Sequence, residues 1–342
     1  MEYIEKIPSV LGVGNALIDV ITQLDDDSLL KEFGLPRGSM TLVDADLSQK
    51  IFNVTVKNKK QITTGGSAAN TIRSLASLGG NCGYLGKTGN DELGQIFKSE
   101  FEKKGITTHI GLSEKDTGRV IGLVSPDSER TMATYLGAAA DLFLSDITPS
   151  LFNEYQYLYA EGYLVQNREF IKTVFETAKN KGLTTVIDMA SYNIVEANVN
   201  FLKELIVSSV DIVFANEDEA TALTGKSPGE ALNEIAAMCE IAVVKLGKEG
   251  SLIKRGNEKY KIAAIKANAI DTTGAGDNYA AGFLYGITKG YNLEKCGKIA
   301  SLVAGKVVEV LGANLSDHSW EEIKKNLKQP MNLCIYFIDN KT

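Results

Sequence analysis

The sequence predicts an α/β protein: a central, mostly parallel sheet covered by helices on both faces, with a small second β-sheet beside it. Three observations carry this expectation. Short apolar runs rich in β-branched residues alternate with helical patterns, as consecutive βαβ units do. Two stretches break that rhythm with strand-like segments of their own. The chain has 342 residues, 44% of them hydrophobic, enough for one large core.

In chain order, Ser9–Gly14 reads as the first strand. The stretch Ile18–Val56 holds Asp19-Val20-Ile21-Thr22 and Gly38-Ser39-Met40-Thr41-Leu42-Val43, more like strands than helices. Ala68–Leu78 reads as a helix with Ile72, Leu75, Ala76 and Leu78 along one side. Gly118–Tyr135 reads as a hairpin, Arg119–Val124 and Arg130–Tyr135 around a turn at Ser125-Pro126-Asp127-Ser128. Tyr157–Ala160, Thr184–Asp188, Asp211–Ala215 and Ile241–Leu246 look like buried parallel strands. Helical patterns at Arg168–Lys181, Asn200–Ser208, Glu217–Thr224 and Pro228–Glu240 separate them. The interrupting strands form either a separate small sheet, placed as a lid that excludes water, or extra edge strands on the main sheet.

Composition excludes several classes of function. A formal charge of -7 argues against nucleic acid and anionic membrane surfaces as partners. Cys82, Cys239, Cys296 and Cys334 are scattered, so neither a disulfide framework nor a zinc site is expected. Met1–Lys6 lacks a signal peptide's apolar core and no apolar run is long enough to span a bilayer, so a cytoplasmic location is expected. His109 and His318 stand away from every polar motif, which leaves histidine-based nucleophilic catalysis little to work with. Gly12-Val13-Gly14-Asn15-Ala16-Leu17 puts Leu17 where a dinucleotide fingerprint needs a third glycine. Gly225-Lys226-Ser227 lacks the earlier glycine of a P-loop.

Carboxylates, backbone amides and a bound cation remain as chemical parts. Asp271-Thr272-Thr273-Gly274-Ala275-Gly276-Asp277 runs directly into an apolar helical pattern. Glycines let backbone approach a ligand closely, and the unpaired amides of a helix start attract phosphate-like anions. Asp277, in that first turn, stands where a base could take a proton from an attacking hydroxyl, and the helix dipole favours its ionised form. Thr64-Gly65-Gly66-Ser67-Ala68-Ala69-Asn70-Thr71 puts a double glycine before a second helix start, with Asn70 offering a donor and an acceptor, or Ser67 simply serving as N-cap. Asn15 and Asp19 fall at the carboxyl end of the first strand, where open α/β sheets bind ligands, and Asp19 could accept from two sugar hydroxyls. Asn216 and Glu219 share a helix face; they could hold a hydrated Mg2+, or form a capping pair, or both. Val243-Val244-Lys245-Leu246-Gly247-Lys248-Glu249-Gly250-Ser251 is a strand, a glycine turn and another strand that could border a nucleotide.

These blocks, in this order, resemble the ribokinase-like, or PfkB, family of sugar and nucleoside kinases, from Gly12 to Ala304. Within it, Gly38-Ser39-Met40, Glu129-Arg130-Thr131-Met132 and Thr134-Tyr135-Leu136-Gly137-Ala138 resemble the bacterial branch similar to adenosine kinases. The resemblance implies a Rossmann-type sandwich over residues 1–342, with a β-sheet lid from two insertions at about 16–60 and 112–136. It implies Asp277 as base; an anion hole at Gly274, Ala275, Gly276 and the Asp277 amide; and Arg130 on the transferred phosphate. Asn15, Asp19, Gly65, Gly66 and Asn70 then hold the acceptor, while Lys245, Gly247, Gly250, Thr272 and Ala304 line the ATP site. It ties Asn216 and Glu219 to Mg2+, and leaves room for a monovalent cation such as K+ near Asp271 and Thr273 and for a homodimer through the lid. Lys245 departs from the family's usual threonine, and Asn278-Tyr279 from its usual smaller residues. An adenosine-type nucleoside leads as acceptor; fructose, ribose and 2-keto-3-deoxygluconate follow. A silent nucleotide or sugar sensor and an NAD-dependent dehydrogenase are the readings from other classes.

Overall fold

Strands that are apolar on both faces need cover on both faces, and the computed structural model supplies it. It describes residues 9–55, 58, 60–127 and 129–328; Cys334, Met1–Lys6 and Ser128 of the hairpin turn lie outside these. Among the described residues fourteen strands are formed: β1 Ser9–Val13, β2 Leu17–Gln23, β3 Met40–Leu42, β4 Lys60–Gly65, β5 Asn81–Gly89, β6 Thr107–Ser113, β7 Gly118–Val124, β8 Arg130–Tyr135, β9 Tyr157–Glu161, β10 Thr184–Asp188, β11 Ile212–Asn216, β12 Ile241–Lys245, β13 Ser251–Arg255 and β14 Glu258–Ile262. Nine of them make the main sheet, ordered β14-β13-β12-β11-β10-β9-β1-β5-β6. All of it is parallel from β12 to β6, and only β13 and β14 run antiparallel at one edge.

Successive side chains of a strand point to opposite faces. Leu11, Val13, Leu158, Ala160, Ile187, Val213, Ala215, Ala242 and Val244 accordingly join one core with Phe170, Ile171, Val174 and Phe175 of the helix Arg168–Asn180. Val10, Tyr84, Tyr159, Val186, Ile212, Phe214 and Val243 join the other, beneath the helices Ser67–Ser77 and Ala275–Thr288. Each helix therefore starts at the carboxyl edge of the sheet, which is where the polar motifs collect.

The interrupting strands are a sheet of their own, ordered β3-β8-β7-β2-β4. Its inner face packs Ile121, Leu123 and Ala133 against Leu30 and Ile51 of two helices, Ser28–Glu32 and Ala45–Val54. Those helices fall within a stretch whose pattern reads as strand. The second begins at Asp44, whose carboxylate accepts from the Leu47 amide at 2.8 Å. The sheet's limits also shift. β4 carries it to Gly65, whereas β6 through Ser113 belongs to the edge of the main sheet, so the second insertion starts after Ser113.

Two helices differ from the pattern reading. Tyr192–Ser209 begins well before Asn200 and is broken at Asn198, whose side chain bonds the Ile194 carbonyl at 3.0 Å where the helical ladder is interrupted. Pro228–Ile235 stops before Glu240, because the chain turns back there to enter β12. Gly225 caps the helix Glu217–Thr224 in the left-handed conformation at φ 71°, so the Gly-Lys-Ser triplet ends a helix instead of opening one. No helix among the described residues is long and apolar enough to cross a membrane.

The helix Ala275–Thr288 is set in place by its neighbour Leu293–Val307. A Cβ on Gly282 would lie 2.7 Å from the Ala300 Cα, so the two backbones touch without a side chain between them. Gly282→Val is expected to lower stability by about 1–3 kcal/mol through overpacking. Urea unfolding measures this, and an unchanged midpoint would show that the contact carries no constraint.

Candidate active site

Two helix starts meet at Asp277. The helix Ser67–Ser77 is entered through Gly66 at φ 98°, where a Cβ would fall 2.2 Å from the Asn15 carbonyl oxygen. A Cβ on Gly65 would fall 2.1 Å from Asp19 Oδ1. The double glycine thus admits the β1–β2 connection and the Asp19 carboxylate against the backbone. The cap is Gly66, so Ser67 is not the N-cap. Its hydroxyl instead donates to Asp277 Oδ1 at 2.7 Å, and the Asn70 amide donates to Oδ2 at 3.0 Å. Thr71 Oγ1 adds a bond to the Asp277 carbonyl at 3.1 Å. No described residue donates a hydrogen bond to the Asp19 carboxylate, which leaves its lone pairs for a ligand.

Gly274 opens the second helix at φ 71°, with a Cβ there colliding with Ala313 at 2.4 Å. That turn brings the Thr272 carbonyl onto the Ala275 amide at 3.1 Å, so Ala275 does not contribute its N–H to the anion hole. The amides of Gly276 and Asp277 receive no acceptor from the described residues. Asp271 accepts from the Thr273 amide at 3.0 Å, the Thr273 hydroxyl at 2.7 Å and the Gly312 amide at 2.6 Å. Arg130, at the start of β8, pairs with Asp271 at 2.8 Å and donates to Thr273 Oγ1 at 2.8 Å. The groups foreseen around a monovalent cation therefore face a guanidinium, which already supplies the positive charge.

The carboxyl edge of the main sheet is lined by strand-terminal polar residues: Glu161, Asp188, Asn216 and Lys245 end β9 to β12. Glu161 is fully buried and accepts from the Asn15 amide N–H at 3.0 Å, the Asn15 side chain at 2.5 Å and the Ala68 N–H at 2.8 Å. One side-chain N–H of Asn15 is thereby given to Glu161. Lys245 Nζ pairs with Asp188 at 2.8 Å and stands 3.1 Å from where a Gly276 Cβ would be, directly under the start of the helix Ala275–Thr288. Asn216 and Glu219 form a reciprocal capping box, Glu219 accepting from the Asn216 N–H at 2.7 Å and side chain at 2.8 Å. Each Glu219 oxygen already accepts one of these bonds, which suits an approach to a metal through water. Gly250, at φ 91°, packs its Cα side against the Ile262 carbonyl, which makes it a turn residue; Gly247 has open space around it. Thr272 is exposed in the turn before the helix Ala275–Thr288, and Ala304 is partly buried against the core beneath that helix. Among the described residues no three His, Cys, Asp or Glu side chains are grouped to hold a metal.

Burial, more than the neighbouring charges, sets the protonation. Burial pushes Asp277 up to about 6, against the pull of the Asn70 and Ser67 hydrogen bonds. Burial likewise lifts Asp19 to about 6, with Arg73 and Arg130 drawing it back down. Glu161 and Glu219 rise to about 7, again through burial first. For Lys245 burial works against the charge, but Asp188 and Glu219 outweigh it and the ammonium is held above its usual range. Asp277 is thus mostly ionised at neutral pH, but by a narrower margin than a helix-start carboxylate implies.

Motif spacing missed Glu161, Asp188 and Arg73. A readable signal existed for the two acids, since each ends an apolar strand run. Asn278 and Tyr279 prove structural: Asn278 is buried and ties Ser74 to the Gly274 carbonyl, and the Tyr279 hydroxyl bonds Ser251 at 2.6 Å.

Residues 38–320 match the model of the pfkB family of carbohydrate kinases. This chain belongs to that family. Among solved structures it is similar to a probable sugar kinase protein from Rhizobium etli, at 34% identity and TM-score 0.84 over 94% of this chain and 99% of that one. It is equally similar to the adenosine kinase from Sinorhizobium meliloti, at 35% identity and TM-score 0.82 over 93% and 99%. Among characterised sequences, the 5-dehydro-2-deoxygluconokinase of Bacillus subtilis is 28% identical over 279 residues, 76% of this chain and 85% of that protein. The enzyme is therefore a sugar or nucleoside phosphotransferase, and its main and second sheets are those of ribokinase-like kinases.

The raised acids give a stability test. Asp277 titrates higher in the folded chain than the ordinary 3.8, so its contribution is full below about pH 4 and is lost as pH rises through about 6. Asp277→Asn removes that dependence. Its Tm is expected to gain on the wild type between pH 4 and 7.5, and a constant Tm difference across that range would contradict the burial.

Proposed function

We propose that this protein transfers the γ-phosphoryl group of ATP to the primary hydroxyl of a ribonucleoside, an adenosine-type nucleoside being preferred, with Asp277 as general base. The observation that carries this is the convergence on one point of a carboxylate held by Ser67 and Asn70, the amides of Gly276 and Asp277, and the unpartnered carboxylate of Asp19. The acceptor class draws support from the likeness to a bacterial adenosine kinase over nearly the whole chain.

In this reading Asp19 accepts from the vicinal hydroxyls of the sugar and fixes its CH2OH toward Asp277. Asp277 takes the hydroxyl proton as the new oxygen–phosphorus bond forms and the bond to the leaving ADP oxygen breaks. A base with a pKa near 6 is well matched to this work at neutral pH. Lys245 and the two amides bear the charge spread over the transferred group, since phosphoryl transfer depends mainly on positioning and electrostatics. ATP brings Mg2+, which shields its phosphates. The cradle at Gly276 fits such phosphates because only a hydrogen stands where a Cβ would meet the Lys245 ammonium. Asn216 and Glu219 would hold the metal through water. The five-stranded sheet, with Asp19 and Arg130 on it, serves as the lid.

A second reading, a keto-sugar or sugar acid as acceptor, is favoured by the likeness to 5-dehydro-2-deoxygluconokinase. Steady-state transfer over a panel of nucleosides, fructose, ribose and keto-deoxy sugar acids separates the two. Adenosine or a close analogue is expected to give the highest kcat/KM, and turnover confined to the sugar acids would replace the first reading with the second. Asp277→Asn is expected to lower kcat by about 10²–10⁴ with nucleotide affinity retained. The acid limb of kcat/KM is expected near pH 6, falling with a slope approaching two as both Asp19 and Asp277 protonate. A slope of one that survives in Asp19→Asn would remove Asp19 from the reaction. Lys245→Met is expected to raise the KM for ATP at least tenfold while AMP binding is unchanged; equal weakening of both nucleotides would place the lysine away from the γ-phosphate.

A further inference from the structure

Arg73 is the most buried cation around the site, and neither the motifs nor the reaction described above employ it. It lies in the helix Ser67–Ser77 three residues after Asn70, on the same face, and is 7% exposed. Its Nη1 donates to the Thr64 carbonyl at 2.6 Å and to Thr64 Oγ1 at 2.5 Å, and its Nη2 donates to Asn70 Oδ1 at 2.8 Å. One guanidinium therefore joins the end of β4 to the first turn of the helix, in the fork geometry that arginine alone provides.

An amide side chain has one accepting end and one donating end. With Oδ1 of Asn70 taken by Arg73, only Nδ2 is left to face Asp277, where it donates at 3.0 Å. Turned the other way, the amide would set oxygen against carboxylate. The charge acts alongside the hydrogen bond. The charges of Asp19 on β2, Asp277 on the helix Ala275–Thr288 and Glu100 on the helix Glu92–Lys103 act on Arg73. Asp19 lies against the strand end that Arg73 holds, its Oδ1 2.1 Å from where a Cβ of Gly65, the residue after Thr64, would stand. Asp19 also feels Arg130, and Asp277 also feels Asp188 and Lys245. Burial lowers Arg73 itself to about 10, so it stays charged throughout the physiological range.

We infer that Arg73 is a positioning residue for phosphoryl transfer, which fixes the orientation of the Asn70 amide and keeps Asp19 ready to accept hydrogen bonds. The catalytic half of this rests on the kinase reading; the electrostatic half does not.

The test uses the full-length protein as wild type, Arg73→Met and Arg73→Lys. Side-chain carboxyl carbons are titrated by NMR beside the pH dependence of kcat/KM. In Arg73→Met the titration of Asp19 is expected to move upward by about one unit or more, with the acid limb following it, because an opposing charge has been removed. Turnover is expected to fall at least tenfold. Arg73→Lys keeps the charge without the fork: Asp19 is expected to titrate as in wild type while kcat falls about tenfold, which also serves should the methionine variant not fold. In an Asn70→Ala background, Arg73→Met is expected to cost less kcat than it does alone, since the two act through one amide. A purely packing role would lower Tm and leave both the Asp19 titration and kcat within about twofold of wild type, and that result overturns the inference. Should the Asp19 titration move as expected while even the wild type transfers phosphate to no acceptor, the electrostatic half stands and the kinase reading falls.

Discussion

The two hydrogen bonds that Ser67 and Asn70 make to Asp277 are the contact on which the site depends. They join helix starts more than 200 residues apart in sequence, and both helices lie on the same face of the main sheet. Each helix start brings unpaired amides and partial positive charge to the junction, which favours a carboxylate there. Neither helix could approach so closely without glycine at its entry. The functional geometry is therefore a by-product of helix packing: Gly282 and its contact with Ala300 set how deep the second helix lies, and that depth sets where Asp277 meets Ser67.

Around that junction the fold gathers acids at the carboxyl edge of its parallel strands and meets them with few cations. Glu161 answers burial with three hydrogen bonds from Asn15 and Ala68, and so works as a strut between β9, the β1–β2 connection and the helix Ser67–Ser77. Asp188 answers it with Lys245, and Asp271 with Arg130. Asp19 has no such hydrogen-bonded partner among the described residues. A half-buried carboxylate in that state keeps its full capacity to accept hydrogen bonds from a ligand.

Much of this was legible in the residues. Apolar runs located five of the seven parallel strands, β1 and β9 to β12, to within a residue or two, because strands buried on both faces admit little else; β5 and β6, broken by glycine and polar residues, went unread. The blocks around Gly65-Gly66 and Gly274–Asp277 were legible because glycine before a helix start has few other uses. What stayed hidden depended on long-range geometry. Ser67 reads locally as a cap, and only the second helix reveals that its hydroxyl serves Asp277. The Ala275 amide looks free until the left-handed turn at Gly274 delivers the Thr272 carbonyl to it. Arg73 sits in a helical pattern where a single charged residue would ordinarily be taken for a solvated one. The helix Ala45–Val54 was obscured by its surroundings, since its apolar residues Leu47, Ile51 and Phe52 cover a sheet made largely of later segments.

The division of these groups between the two sheets has a mechanical side. Asp19 is carried by β2 of the smaller sheet, while Asp277 is anchored to the larger one, and β1 passes into β2 through little more than Gly14-Asn15-Ala16. The span between the two acids is consequently set by how the two sheets sit on one another across a short connection. Arg130, reaching from β8 of the smaller sheet to Asp271 before the helix Ala275–Thr288, is an ion pair that ties the two together, so the width of the gap between the acids depends on that pair as much as on the short connection.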